Sequence, residues 1–468
     1  MAIKFGTDGW RGIIDQDFNE ENVKLATQAI ARYLVDNNKK SIVVGFDGRR
    51  QANYFANLVA EVMVGNNLKT YLINEPCPSP VAAWAVIDKK TDGGVMLTAS
   101  HNPPEFLGLK YITEKAMVAP AEVTDQFIKN LENLKIENVK LGKEIEFFNP
   151  KPTYLEKIKS LVDLGKIKSS NFRVLINPMN AVGAGYLSEI LSGGKIKIEE
   201  INSEIKADFG GKLPEPIVEK NVSDAVEKMS VSDGYDVCLS SDGDADRIGL
   251  IDEKGKLITS LEASLLLAYY LVEIKGKRGP IVETISNTVM VENLCKKYGL
   301  DFYETRVGFK YVGEKMAETG AIWGGEESGG SAIKEFIPYR DAQLMNLLIL
   351  DLMCEVKKPI SEILAIAKEA AGGGYEFRRE DVHFEYEKYD EIKNVKGAAL
   401  TKNPPTEVLG MKVVKTRSDD GLKLYFEDGS WFLIRFSGTE PVLRIYAEAK
   451  TIEKVDEFLE YAKDLFKA

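Results

Sequence analysis

Asp242-Gly243-Asp244-Ala245-Asp246-Arg247 places three carboxylates at alternate positions directly after the apolar run YDVCLSS. In an extended loop alternate side chains point the same way, so three hard oxygen donors can converge on one cation. An all-oxygen set favours Mg²⁺ or Ca²⁺ over zinc. A calcium EF-hand fits poorly, although Glu253 falls at loop position 12. Position 6 is Arg247 rather than glycine, and a strand rather than a helix precedes the loop. The same residues also read as a solvated acidic turn.

A second candidate is Thr98-Ala99-Ser100-His101-Asn102-Pro103-Pro104, at the end of the strand VMLT. Open α/β sheets place ligands there. A serine nucleophile needs somewhere to send its proton, and His101 is one of 2 histidines in the chain. A polar turn with Ser100 at the surface is the plainer reading of this segment, and loss of its hydroxyl would then leave the fold intact. Arg435-Phe436-Ser437-Gly438-Thr439-Glu440-Pro441 offers a guanidinium, two hydroxyls and amides around a glycine. Such a set forms a concave anion site, or simply connects a hairpin. Gly324-Gly325-Glu326-Glu327-Ser328-Gly329-Gly330 allows close backbone approach, with carboxylates that accept from sugar hydroxyls; it reads equally as a flexible turn.

Other chemistries are disfavoured by what these loops lack. No G-x-S-x-G surrounds a serine, which argues against a Ser-His-Asp hydrolase. A haloacid-dehalogenase-type phosphatase would carry DxDxT where this loop has Asp246. Gly183-Ala184-Gly185 opens a helix, but Ser188 stands where a dinucleotide fingerprint has its third glycine. No GxxxxGK[ST] occurs.

The elements around these loops alternate. Asn19 is placed to cap a helix with Glu20 and Glu21 in its first turn and Val23, Ala26, Ala29, Ile30, Tyr33 and Leu34 on one face. A strand at 41 to 46, a helix at about 52 to 64, a strand at 70 to 73 and the strand VMLT follow. The pattern restarts near 152 and near 259, which predicts three α/β units with mainly parallel sheets. After Gly372-Gly373-Gly374 come LKLYFE and WFLIRF around Asp428-Gly429-Ser430, then VLRIYAEA and a closing helix apolar at Val455, Phe458, Leu459, Ala462, Leu465 and Phe466. That is a smaller α+β domain.

A chain of 468 residues with 44% hydrophobic and 28% charged residues reads as an ordinary globular protein able to bury several separate cores. The net charge of -11 argues against a generic nucleic-acid binder but not against an anionic substrate. Cys77, Cys238, Cys295 and Cys354 are scattered, so a reducing cytoplasm is expected. MAIKFGTDGWRG shows no signal-peptide pattern, and Leu344 to Met353 is too short for a membrane span and reads as a core helix.

GTDGWRG, TASHNPP, DGDADR, GEESGG and RFSGTEP occur in this order along the chain. In content and order they resemble the α-D-phosphohexomutase family of phosphoglucomutases and phosphomannomutases. The resemblance implies three related α/β/α domains with mixed sheets and a smaller C-terminal α+β domain around a central cleft, divided at 1–150, 151–256, 257–372 and 373–468. It implies a phosphoserine at Ser100, which with Asp242, Asp244 and Asp246 binds one Mg²⁺, and cations Arg11, Lys110 and Arg247 around the reacting group. His101 and Lys110 compete as general base, with Lys110 preferred. Lys310, Glu326 and Ser328 would contact sugar, and Arg435, Ser437, Gly438 and Thr439 the non-reacting phosphate. Hexose 1,6-bisphosphate is the implied intermediate and activator. Glucose phosphate is the expected substrate, with mannose phosphate accepted; a phosphoglucosamine mutase and a non-catalytic sugar-phosphate binder are the alternatives. The implied protein works as monomer or homodimer without nucleic acid or membrane. Two positions depart from the pattern: Leu107 precedes Gly108-Leu109-Lys110 where Asn is frequent, and Phe309 stands where some members carry histidine.

Overall fold

The computed structural model describes residues 3–6, 9–132, 134–231, 234–437 and 441–466. The first sheet contains β1 (Trp10–Ile13), β2 (Ser41–Phe46), β3 (Lys69–Ile73), β4 (Gly93–Leu97), β5 (Phe106–Thr113) and β6 (Ile145–Phe148). The second contains β7 (Arg173–Asn177), β8 (Lys197–Glu200), β9 (Val237–Ser241), β10 (Ile248–Asp252) and β11 (Leu257–Ile258). The third contains β12 (Ile281–Thr284), β13 (Phe302–Thr305), β14 (Trp323–Gly325) and β15 (Ser331–Ile333).

One four-stranded plan recurs in all three. β2 lies between β3 and β4 in parallel, and β4 pairs antiparallel with β5. β7 is flanked likewise by β8 and β9, with β10 antiparallel on β9. β12 sits between β13 and β14, with β15 antiparallel on β14. The sheets are therefore mixed rather than mainly parallel. The reason is connection length: residues 98–105, 242–247 and 326–330 are too few for the crossover that a parallel return needs, roughly a dozen residues. These three short returns leave equivalent strand ends, and each carries one of the motifs.

The boundary expected at 256 moves, because β11 extends the second sheet antiparallel to β10. The last sheet is antiparallel throughout, in the order β16 (Glu376–His383), β21 (Val442–Ala449), β20 (Trp431–Phe436), β19 (Leu422–Phe426), β18 (Met411–Arg417), β17 (Glu407–Val408). The helix Ile452–Asp464 buries Val455, Phe458, Leu459 and Ala462 against it.

The cores are less separate than expected. One apolar cluster runs from Val43 and Met96 through Val174 and Leu239 to Ile281 and Trp323. Much of the join is the helix Ala342–Val356, which follows the third sheet yet packs on the helix Leu164–Ser169 and on β9 and β10. Burial of Ala342 through Cys354 on every face explains why it reads as apolar throughout. All four cysteines are buried and unpaired. Among the described residues, no helix is long and apolar enough to cross a membrane.

Candidate active site

Ser100 is fully buried, not at the surface as the sequence led one to expect, because the second unit closes over it. Its Oγ donates to Asp242 Oδ2 at 2.8 Å. The two loops nearly touch: a Cβ on Gly243 would lie 2.3 Å from the Ser100 carbonyl oxygen, so only glycine fits. Ser100 holds a left-handed backbone (φ 52°), supported by its N–H donating to Thr98 Oγ1 at 2.9 Å. Around it, Arg49 donates to four carbonyls, those of Pro103, Phe106, Ser100 and Asn102, at 2.6 to 3.0 Å. Burial pushes the Asp47 carboxyl up to about 6 despite the opposing charge of Arg49, 3.2 Å away. Gly243→Ala is expected to force the loops apart and lower kcat about 100-fold, with the far-UV spectrum unchanged; full activity would show that this approach is dispensable.

The acidic loop is a tight turn rather than an extended strand, with Ala245 left-handed at φ 54°. That turn still gathers Asp242, Asp244 and Asp246 so that one oxygen of each lies within 4.8 Å of the others. Protein groups hold one side of each carboxylate. Asp242 Oδ1 accepts from the N–H groups of Asp246 and Arg247 at 2.9 and 3.1 Å. Asp244 Oδ2 accepts from Ser79 at 2.6 Å and Lys110 at 2.9 Å. Asp246 Oδ2 accepts from Arg340 Nε and Nη2 at 3.0 and 2.6 Å. Asp244 Oδ1 and Asp246 Oδ1 are buried with no hydrogen-bond partner. Burial, then the charges of Asp244 and Asp246, push the Asp242 carboxyl far above its ordinary value. Two orphaned oxygens and mutual repulsion are what a divalent cation would relieve, so the residues fit one.

Cations surround the triad. Lys110 sits on β5 opposite Met96 on β4. Its ammonium is also 3.8 Å from Asp246 Oδ2. Arg247 is buried, its Nε 3.8 Å from Asp246 Oδ1. Arg11 donates to Asn102 Oδ1 in the serine loop. His101 is half-buried on that loop; burial and then Arg247 and Arg11 hold it well below the usual imidazole range, and its Nδ1 has no hydrogen-bond partner.

The third loop lies alongside the second: Arg247 and Gly330 form a bridge, and Ile248 N–H donates to the Gly329 carbonyl at 3.1 Å. Glu326 Oε1 accepts from the Ser328 hydroxyl and from Arg340 Nη1. Lys310 is buried at the start of the helix Phe309–Thr319, over the Tyr311 ring at 4.9 Å. In the last unit Arg435 Nε donates to Asp420 Oδ1 at 2.9 Å, and Asp420 Oδ2 accepts from Val307 N–H at 2.8 Å. Ser437 is buried, its carbonyl accepting from Tyr389. Gly438 and Thr439 lie outside the described residues. Arg435 and Arg444 are cross-strand partners, as are Arg444 and Asp381. Arg379, two residues from Asp381, therefore shares their face.

Sequence reasoning missed Arg49, Ser79, Arg340, Arg379 and Arg444. Arg49 carried a usable signal, following the turn Asp47-Gly48 at the end of β2, which runs parallel beside β4, the strand that leads into the serine loop. Arg340 carried none, since its partner Asp246 is 94 residues away.

A hydroxyl beside an oxygen-donor cation site, ringed by lysine and arginine, is the apparatus of phosphoryl transfer. Models of the phosphoglucomutase/phosphomannomutase family match in order: α/β/α domain I over residues 2–137, domain II over 152–255, domain III over 262–370 and the C-terminal domain over 385–465. The chain belongs to this family, the α-D-phosphohexomutases, and is an enzyme, an isomerase acting by intramolecular phosphoryl transfer. A phosphoglucomutase/phosphomannomutase of Thermococcus kodakarensis is 29% identical over 98% of this chain and 97% of its own length. A phosphoglucosamine/phosphogalactosamine mutase of Sulfurisphaera tokodaii is 30% identical over 96% of both. A solved structure from Thermus thermophilus, named as a phosphomannomutase, is 29% identical and covers 99% of both chains with a TM-score of 0.86.

Proposed function

We propose that this enzyme interconverts hexose 1-phosphate and hexose 6-phosphate through a phosphoserine at Ser100 and a hexose 1,6-bisphosphate, with glucose phosphate preferred and mannose phosphate accepted. The observation that carries this is the 2.8 Å contact between Ser100 Oγ and Asp242, which joins the hydroxyl of one unit to the acidic loop of another. Asp242, Asp244 and Asp246, with an oxygen on Ser100, would hold Mg²⁺, which when bound supplies positive charge to the transferring group. Lys110, Arg247 and Arg11 neutralise charge around that group, as phosphoryl transfer requires. Lys110, held between two carboxylates, is the base the resemblance favours and must first lose its proton; His101, whose Nδ1 has no hydrogen-bond partner, is the competing acceptor for the substrate proton. Glu326, Ser328 and Lys310 hold the sugar. Arg435, Ser437, Gly438 and Thr439 grip the phosphate that is not reacting. The intermediate turns over between the two transfers, so these contacts must serve either orientation. Unpaired cysteines accord with a cytoplasmic enzyme.

A phosphoglucosamine mutase is the second reading, favoured by the name of the Sulfurisphaera relative. The deciding assay offers glucose, mannose and glucosamine 1-phosphates at equal concentration, with Mg²⁺ and trace hexose bisphosphate. Glucose is expected first; a preference for glucosamine of about tenfold reverses the ranking. EDTA is expected to stop turnover and Mg²⁺ to restore it, whereas full activity after exhaustive chelation leaves the aspartates structural.

A further inference from the structure

Arg340 lies between β15 and the helix Ala342–Val356, outside every motif of the sequence. The residue is 3% exposed, yet its side chain meets loops of two different units. Nε and Nη2 donate to Asp246 Oδ2 at 3.0 and 2.6 Å, while Nη1 donates to Glu326 Oε1 at 2.8 Å. A guanidinium is planar with its donors in a fixed fork, so its seat on one carboxylate dictates the position of the other. The fork itself is held from several sides. A Cβ on Gly330 would come within 2.2 Å of Arg340 Cδ, so that glycine leaves room for the stem. The Phe309 ring centroid is 5.4 Å from the guanidinium carbon. The next two residues are tied to β15, which directly follows the sugar loop, and to the acidic loop: Asp341 N–H donates to the Ser331 carbonyl at 3.2 Å and Ala342 N–H to the Ala245 carbonyl at 3.1 Å.

We propose that Arg340 is a positioning residue that couples the acidic loop to the sugar loop, turning Asp246 so that Oδ1 faces the cation and setting Glu326 for a sugar hydroxyl. The inference deepens the mutase reading and rests on it for the role of Glu326. A mere counter-charge would behave differently. Removing a positive charge from beside the triad would then tighten cation binding, whereas loss of an outer partner that orients a ligand weakens it.

The test compares Arg340→Met, Arg340→Lys, Glu326→Gln and the Arg340→Met/Glu326→Gln double variant. Mn²⁺ alone is titrated into each and followed by the electron spin resonance of the free ion; sugar-phosphate kinetics are measured separately. Arg340→Met is expected to weaken Mn²⁺ binding about tenfold and to lower kcat/KM about 100-fold. Arg340→Lys keeps the charge without the fork and is expected to stay within about tenfold of Arg340→Met. It carries the same comparison if the methionine variant does not fold. In the double variant the kinetic losses are expected to be less than the product of the single ones. Tighter Mn²⁺ binding by Arg340→Met, or fully multiplicative kinetic losses, would overturn the proposal. If the wild-type enzyme turns over none of the hexose phosphates, the mutase reading fails by itself, while the Mn²⁺ titration still decides whether Arg340 orients Asp246.

Discussion

Ser100→Ala is expected to reduce turnover to the background of the assay, a fall of about 10⁴-fold or more, while the protein still folds. Among the described residues no other hydroxyl takes the place that Oγ holds against Asp242 Oδ2. The variant gives up one hydrogen bond to a carboxylate, so some loss of stability is expected, about 1–2 kcal/mol. That loss is bounded because Asp242 keeps the N–H groups of Asp246 and Arg247 on its other oxygen. The measurements are coupled turnover, urea unfolding and intact mass after incubation with hexose 1,6-bisphosphate. Wild type should gain one phosphoryl group and the variant none. Turnover within about 100-fold of wild type would remove the phosphoserine mechanism, whatever the fold of the chain.

What could be seen from sequence depended on how local each signal was. The strand at 41 to 46 was legible to the residue because apolar side chains run unbroken into Asp47-Gly48. The Asn19 cap was legible because one side chain and one N–H three residues on make it. The return strand β5 escaped because Lys110 is buried in it, and a lysine inside reads as a lysine outside until Asp244 is known to face it. β16 escaped because EFRREDVH shows no apolar alternation; its charged residues pair along the strand and with the closing helix instead. The motifs themselves were legible because each is a short run. Their meeting was expected from the family resemblance alone, because it follows from one topology used three times, and short returns only become visible once the strands are paired. Arg340 marks the limit, since nothing in its neighbourhood of the chain announces Asp246 or Glu326.

Lys423→Met is expected to lower stability by about 3–5 kcal/mol at pH 7.5, through the join between the third and fourth units. Lys423 is 2% exposed and donates to the Ile285 carbonyl at 2.6 Å and to Glu304 Oε1 at 3.0 Å, with its ammonium 3.9 Å from the Trp431 ring centroid. Glu448, fully buried on β21, accepts from Thr288 Oγ1, Val289 N–H and Trp431 Nε1 at 2.5, 2.8 and 2.6 Å. Glu283 is buried on β12, its Oε1 without a hydrogen-bond partner; burial and then Glu448 and Glu304 push its carboxyl far up. Burial opposes ionisation of Glu304 too, but the charge of Lys423 and hydrogen bonds from Tyr425 and Lys423 hold it down at about 2. A carboxyl depressed on folding stabilises the fold above its unfolded pKa, here 4.5, and that contribution fades as pH falls toward 2. Without Lys423, Glu304 keeps Tyr425, Lys415 and Arg417 beside it but loses the largest charge that opposes its burial, so its carboxyl moves upward. A carboxyl raised on folding, as Glu283 is, destabilises the fold as pH rises through its folded value. The deficit of the variant is therefore expected to be larger at pH 7.5 than at pH 5. Urea unfolding at both values checks this, with hydrogen exchange across β12, β19 and β21 to locate the loosening. A deficit below about 1 kcal/mol at pH 7.5, or one that does not shrink toward pH 5, would mean that desolvation cancels the attraction and that apolar packing alone joins the two units.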